Sequence, residues 1–111
     1  METTEKVYKR YTILRVSGRI DAETAPSLEK QINKVFSKGQ YHLVVDLGGV
    51  DYISSAGLRV LVSALKKVRR YNRGDVRLAA LSARLKEAFQ LVGFNKLFQI
   101  FGDAEDAAGS F

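Results

Sequence analysis

Two neighbouring hydroxyls, Ser54 and Ser55, sit between an apolar run ending at Asp46-Leu47 and a stretch whose apolar residues return every three or four positions. From Leu58 onward these are Leu58, Leu61, Val62, Leu65 and Val68, one stripe along a helix. Ser54 is the strongest start signal, because as N-cap it places Ile53 at N′ and Leu58 at N4, the two positions of a hydrophobic staple. Ser55 then takes the first helical position. A hydroxyl there stands at the positive end of the helix dipole, beside backbone N–H groups that lack an intrahelical partner, and the place favours an anion. Gly57 costs a helix about 1 kcal/mol relative to Ala, so its use is close approach rather than helix stability. The same residues also read as plain structure: Ser54 as a cap, Ser55 as a small first-turn residue, Gly57 as a packing accommodation.

Other chemistries for these residues fail on geometry or composition. A hydrolase using either serine needs a base, and the one imidazole, His42, stands at the start of the strand whose far end leads to the serines. Four or more residues at about 3.3 Å each put it more than ~13 Å away, beyond hydrogen-bond reach. An aspartyl-phosphate receiver would use Asp46 as acceptor, but it also needs an acidic cluster after its first strand to hold Mg²⁺ and a lysine after its last. Here Asp21 is isolated and Phe101 is followed by Gly102. Asp46 is read instead as a loop-organising acceptor for backbone N–H groups. With no cysteine, disulfides and thiolate chemistry are excluded and a Cys-based zinc site has no ligands, and a single histidine leaves little for metal. Neither a metal nor a cofactor is expected, and the chain is expected not to be an enzyme.

The elements that must position these residues follow from periodicity. At 111 residues the chain is expected to be one domain, 1–111. Two strands, about 5–9 and 11–16, form an opening hairpin, and Ser17 to Asp21 reads as a strand end leaving for a loop. Thr24 or Ala25 caps a helix with Pro26 in its first turn, Leu28, Ile32, Val35 and Phe36 as its stripe and Gly39 as its end. The central strand His42 to Leu47 and the helix after Ser54 come next, then a turn at Asn72-Arg73-Gly74 and a strand at Val76 to Ala80. Ser82 caps a third helix with Leu85, Ala88, Phe89 and Val92 inward, closed by Gly93 with Phe94 against Phe89. Leu97 to Phe101 is a last strand, and Asp103 caps a short terminal helix through Ala108. Alternating strands and helices predict an α/β or α+β layer structure: a mixed, mostly parallel sheet of four to five strands, three to four helices on one side, and the hairpin at an edge. The loops Gly18 to Ala25 and Gly48 to Gly57 should then share the rim at the carboxyl ends of the strands.

The net charge of +6 raises nucleic-acid binding. Lys66, Lys67, Arg69 and Arg70, however, fall in the last turns of the central helix, where cations suit the dipole, and Tyr71 stands almost alone as a stacking ring. Direct nucleic-acid binding is not expected. The N-terminus lacks the regions of a signal peptide and no apolar run approaches membrane-spanning length, so a cytoplasmic protein without membrane contact is the expectation.

Ile53-Ser54-Ser55-Ala56-Gly57-Leu58, preceded by Val44-Val45-Asp46-Leu47, resembles the phosphorylation segment of the STAS domain of bacterial anti-sigma factor antagonists. Gly18-Arg19-Ile20-Asp21 with Ala25-Pro26 is similar to the family's other recurrent segment, and the likeness covers nearly the whole chain. In that family the usual run is Asp-Ser-Ser/Thr-Gly-Leu, with its first serine phosphorylated. Aligned on Gly57-Leu58, the acceptor is Ser55, Ser54 replaces the usual Asp, Ala56 replaces the second hydroxyl residue, and Ser54 is the backup acceptor. The resemblance implies an anti-sigma factor antagonist. Unmodified, it binds an anti-sigma factor that is itself a serine kinase and so releases sigma; phosphate on Ser55 ends the binding, and a serine phosphatase resets it. The free chain is expected to be a monomer. Arg19, Asp21 and Ala22 should share the partner footprint with Ser54, Ser55 and Gly57, and Asp21→Ala should weaken binding while leaving stability nearly unchanged. The alternative is a STAS scaffold or sensor component in another regulatory or lipid-transport complex, and less so a receiver-like domain using Asp46.

Overall fold

A computed structural model of the chain describes residues 1–70 and 72–111; Tyr71, the aromatic residue next to the basic stretch, lies outside the described residues. Among the described residues, strands β1 (Glu2–Val7), β2 (Thr12–Ile20), β3 (His42–Ile53), β4 (Asp75–Ala79) and β5 (Ile100–Phe101) form one sheet in the order β1-β2-β3-β4-β5. The β1–β2 pair is antiparallel and the other three pairs are parallel. Helices α1 (Ala25–Ser37), α2 (Ser55–Arg70) and α3 (Ala83–Leu91) each lie between consecutive parallel strands. A right-handed crossover repeated in one direction across the sheet puts all three helices on the same face. They cover Leu14, Leu43, Val45, Val76 and Leu78. Side chains alternate along a strand, so Ile13, Val44 and Ala79 point the other way and meet Ala104, Ala107 and Ala108 of a fourth helix, α4 (Ala104–Gly109). Three helices therefore share one face, while α4 closes the opposite one.

Apart from the expected cap of α1, the helix signals are seen at their positions. Leu28, Ile32, Val35 and Phe36 of α1 and Leu58, Leu61, Leu65 and Val68 of α2 are buried. Ser82 Oγ accepts from the Leu85 N–H at 3.2 Å, Gly93 takes φ +76° after α3, and Asp103 Oδ1 accepts from the Asp106 N–H at 2.7 Å. Val92, expected inward, is half exposed, since α3 ends at Leu91.

The strands differ more. β1 begins at Glu2 rather than Glu5, and the stretches expected to be loops after β2 and β3 are strand to Ile20 and Ile53. The cause is a pair of bulges in which β3 carries the extra residue. Arg15 faces Asp46 but Ser17 faces Gly49, and Gly18 faces Val50 but Arg19 faces Tyr52. Gly49 allows the first, because a Cβ there would stand 2.7 Å from Ser17 Cβ. Gly18 takes φ +91° at the second. β4 stops at Ala79 because Ala80 has φ +61°. The expected strand over Leu97 to Phe101 shrinks to Ile100–Phe101, with a 3₁₀ turn at Phe94–Lys96 before it and Leu97 partly exposed.

Candidate functional site

The carboxyl ends of β2 and β3 finish together. Ile20 faces Ile53, and the Ser54 N–H donates to the Ile20 carbonyl at 2.8 Å, so the first turn of α2 is tied to the end of β2. Ser54 precedes α2: its Oγ accepts from the Gly57 N–H at 3.3 Å and its carbonyl accepts from the Leu58 N–H at 3.0 Å. Ser55 is the first residue of the helix and is exposed; its hydroxyl has no intramolecular partner among the described residues. Ser54 is thus held by its role as a cap, while Ser55 offers a free hydroxyl at the positive end of a 16-residue helix.

Gly57 does not belong to the exposed footprint. It is buried, and a Cβ there would stand 2.6 Å from Ile20 Cγ2 and 2.8 Å from Ile53 Cγ1. Its lack of a side chain lets the start of α2 settle onto the two strand ends, which sets the position of Ser55 without offering surface. Packing explains this residue.

Asp21 begins the short loop before α1. Its Oδ1 accepts from the Glu23 N–H and the Thr24 N–H, each at 3.0 Å, and lies 3.2 Å from Thr24 Oγ1. Thr24 Oγ1 accepts from the Asp21 N–H at 2.9 Å and donates to the Arg19 carbonyl at 3.0 Å. Thr24 precedes α1, but its hydroxyl is turned back to this loop and does not cap the helix. The Thr24 amide above all, with the Thr24 hydroxyl, the Glu23 amide and the Arg19 charge, outweighs partial desolvation and holds the Asp21 pKa below its ordinary value. The expectation that Asp21→Ala leaves stability unchanged is revised accordingly, since this carboxylate organises its own loop.

Arg19 and Ala22 are exposed on the rim. The Arg19 guanidinium lies 4.3 Å from the centroid of the Tyr52 ring, its cross-strand neighbour. Nothing local in the sequence points to Tyr52, because the bulges that bring it opposite Arg19 leave no pattern. Arg59, exposed and four residues after Ser55, is on the same side of α2, and that spacing alone would have found it.

Asp46 lies apart from the serines. Its Oδ1 accepts from the Gly48 N–H at 2.9 Å and its Oδ2 from Arg15 Nε at 3.1 Å, and Arg15 also reaches Glu105 of α4 at 3.6 Å. These contacts occur in a bulged strand rather than a loop, beside α4, so Asp46 shares neither face nor neighbours with Ser55. His42 starts β3, its ring 4.8 Å from that of Phe111, at the end of the strand remote from the serines. No helix among the described residues is long and apolar enough to cross a membrane.

This arrangement, a parallel sheet with an antiparallel edge strand and a serine opening the helix after its central strand, defines a known fold class. It superposes on the phosphorylated form of SpoIIAA, a Bacillus cell fate determinant, with a TM-score of 0.76, 14% identity and coverage of 98% of each chain. The unphosphorylated form of SpoIIAA gives 0.82 at 13% identity over 96% of this chain and 93% of that one. The STAS domain family model matches residues 1–107, and the chain belongs to that family. Among relatives, it is 35% identical over 96 residues to BtrV of Bordetella bronchiseptica, named as an anti-sigma factor antagonist, covering 86% of this chain and 82% of that protein. It is 30% identical over 95 residues to the anti-sigma-F factor antagonist RsfB of Mycobacterium tuberculosis, covering 86% and 76%.

Proposed function

We propose that this chain, as a single STAS domain, is an anti-sigma factor antagonist whose binding is switched off by phosphate on Ser55. The observation that carries the reading is the contrast between the two serines. Ser54 Oγ is engaged by the Gly57 N–H and Ser55 Oγ is exposed and unengaged at the helix start. The names of the relatives supply the partner class, an anti-sigma factor. The modifying enzyme is that partner acting as a serine kinase: the γ-phosphoryl of ATP passes to Ser55 Oγ, the hydroxyl proton is released and ADP leaves. A serine phosphatase hydrolyses the ester to restore the binding form. The chain itself contributes a positioned acceptor and a docking rim of Arg19, Ala22 and Ser55, with Asp21 and Ser54 holding the rim in shape.

Peptide mass mapping after incubation with the cognate anti-sigma factor and ATP tests this. Phosphate is expected on Ser55 and on little else. Phosphate confined to Ser54 would place the acceptor one residue earlier, and an unmodified protein would remove the kinase from the cycle.

A further inference from the structure

The charge of this chain is concentrated. Between Asp51 and Asp75 the sequence holds Arg59, Lys66, Lys67, Arg69, Arg70 and Arg73 and no acid. The remaining twelve cations and twelve acids balance, so the whole net charge of +6 lies on α2 and the turn after it. Arg69 is paired with Asp75 at 3.1 Å. Lys66, Lys67 and Arg59 are exposed and form no ion pair among the described residues, Lys67 donating to the neutral Asn33 Oδ1 at 3.3 Å.

Arg59 and Lys67 border a furrow between α1 and α2, and Lys66 stands beside its far end on α2. At the rim it passes Ala22 and Arg59, with a volume of about 360 Å³. It narrows to about 180 Å³ over Ile32, Val60 and Ala64, and next to it a hollow of about 380 Å³ on α2 itself is lined by Ser63, Lys66, Lys67 and Arg70. Ser63 lines all three parts, and Glu29 on the α1 wall is the one acid along it among the described residues. The furrow thus has a small, apolar floor and a cationic α2 wall that starts four residues from Ser55.

We infer that this furrow takes an acidic amphipathic helix of the protein that docks on the Ser55 rim. Its apolar edge lies on Val60 and Ala64, and its carboxylates face Arg59, Lys66 and Lys67. The 16 residues of α2 at about 1.5 Å each give ~24 Å, room for roughly four turns of a helix laid along it. A nucleic-acid strand fits less well, because among the described lining residues no aromatic ring is available to stack a base and the floor is apolar. The inference rests on the reading of the rim as a partner surface and adds the chemistry of the partner.

The probe is a synthetic helical peptide as long as α2, with Leu on one edge and Glu elsewhere, titrated into the full chain by calorimetry and by amide shift mapping. Shifts are expected at Asn33, Val60, Ser63 and Lys67. Affinity should fall roughly tenfold or more in Lys66→Glu, and again in Arg59→Glu, with melting temperatures checked for each, while Lys86→Glu on α3 leaves it unchanged. It should also fall at about 0.5 M salt, where exposed charges are screened. Equal binding of a Lys-for-Glu peptide, or shifts mapping away from the furrow, overturns the inference. So does tighter binding of duplex DNA at the same residues, which assigns the face to nucleic acid. The peptide needs no kinase, so failure of Ser55 modification leaves this test intact, and failure of the peptide leaves the Ser55 switch standing.

Discussion

At Asp21 the carboxylate is held by the Glu23 and Thr24 amides and the Thr24 hydroxyl, and its pKa is lowered in consequence. A lowered folded pKa means the contribution to stability is fully present above the unfolded value and is lost as pH falls through the folded value. Asp21→Asn should therefore melt below the unmodified chain at neutral pH. The gap should narrow as pH drops below the ordinary 3.8, which thermal melts across an acid series would measure. A gap independent of pH would mean the charge on Asp21 does not matter to its loop. The two serines separate at the same scale. Ser54→Ala removes a cap and should cost about 0.5–2 kcal/mol, whereas Ser55→Ala, exposed and without a partner, should stay within roughly 0.5 kcal/mol. Denaturant unfolding of the two variants side by side decides it, and equal losses would contradict the assignment of the cap.

The elements show which features are local. Ser54, Ser82 and Asp103 each accept from an amide of the first turn of the following helix, as the sequence pattern predicts, because an N-cap is decided within four residues. The lengths of β2 and β3 were not legible. Whether Ser17 to Ile20 and Gly48 to Ile53 are loop or strand depends on two bulges between segments about thirty residues apart, and Gly48-Gly49 alone reads as a turn. The position of α4 was hidden for the same reason. Its alanines carry no address, and its face follows only from Ile13, Val44 and Ala79 being left uncovered by the crossover helices. Gly57 lies between these cases: close approach was legible from the cost of glycine in a helix, but its targets, Ile20 and Ile53, emerge only from pairing. Gly57→Ala should gain about 1 kcal/mol of helix propensity and lose about 1–3 kcal/mol to overpacking against two branched side chains. A net loss on the order of 1 kcal/mol lowers Tm by about 4–8 °C in a domain of this size. A variant that melts higher than the parent would show that the strand ends yield to the helix.

For the whole molecule, a switch at Ser55 of the kind proposed must act on the complex rather than on the fold. Phosphate adds about −1.5 to −2 charges at pH 7 and places them where the α2 dipole is favourable by typically 0.3–1 kcal/mol. Ser55 is exposed and the Gly57 amide is already satisfied by Ser54, so no native hydrogen bond is broken when the ester forms. The phosphorylated chain should therefore melt no lower than the unmodified one. In a complex the same dianion would lie under partner groups arranged for a neutral hydroxyl, and it would have to shed water on docking. Under the docking proposed above, it would also oppose carboxylates of the partner approaching Arg59. A loss of about 3 kcal/mol from these causes weakens affinity more than a hundredfold. Ser55→Ala should bind the anti-sigma factor constitutively, Ser55→Asp should bind poorly, and both should melt close to the parent. Calorimetric titration beside thermal melts reads both halves at once. A phosphorylated chain that melts several degrees earlier would locate the switch in the fold, and one that binds as tightly as the unmodified chain would remove Ser55 from the switch altogether.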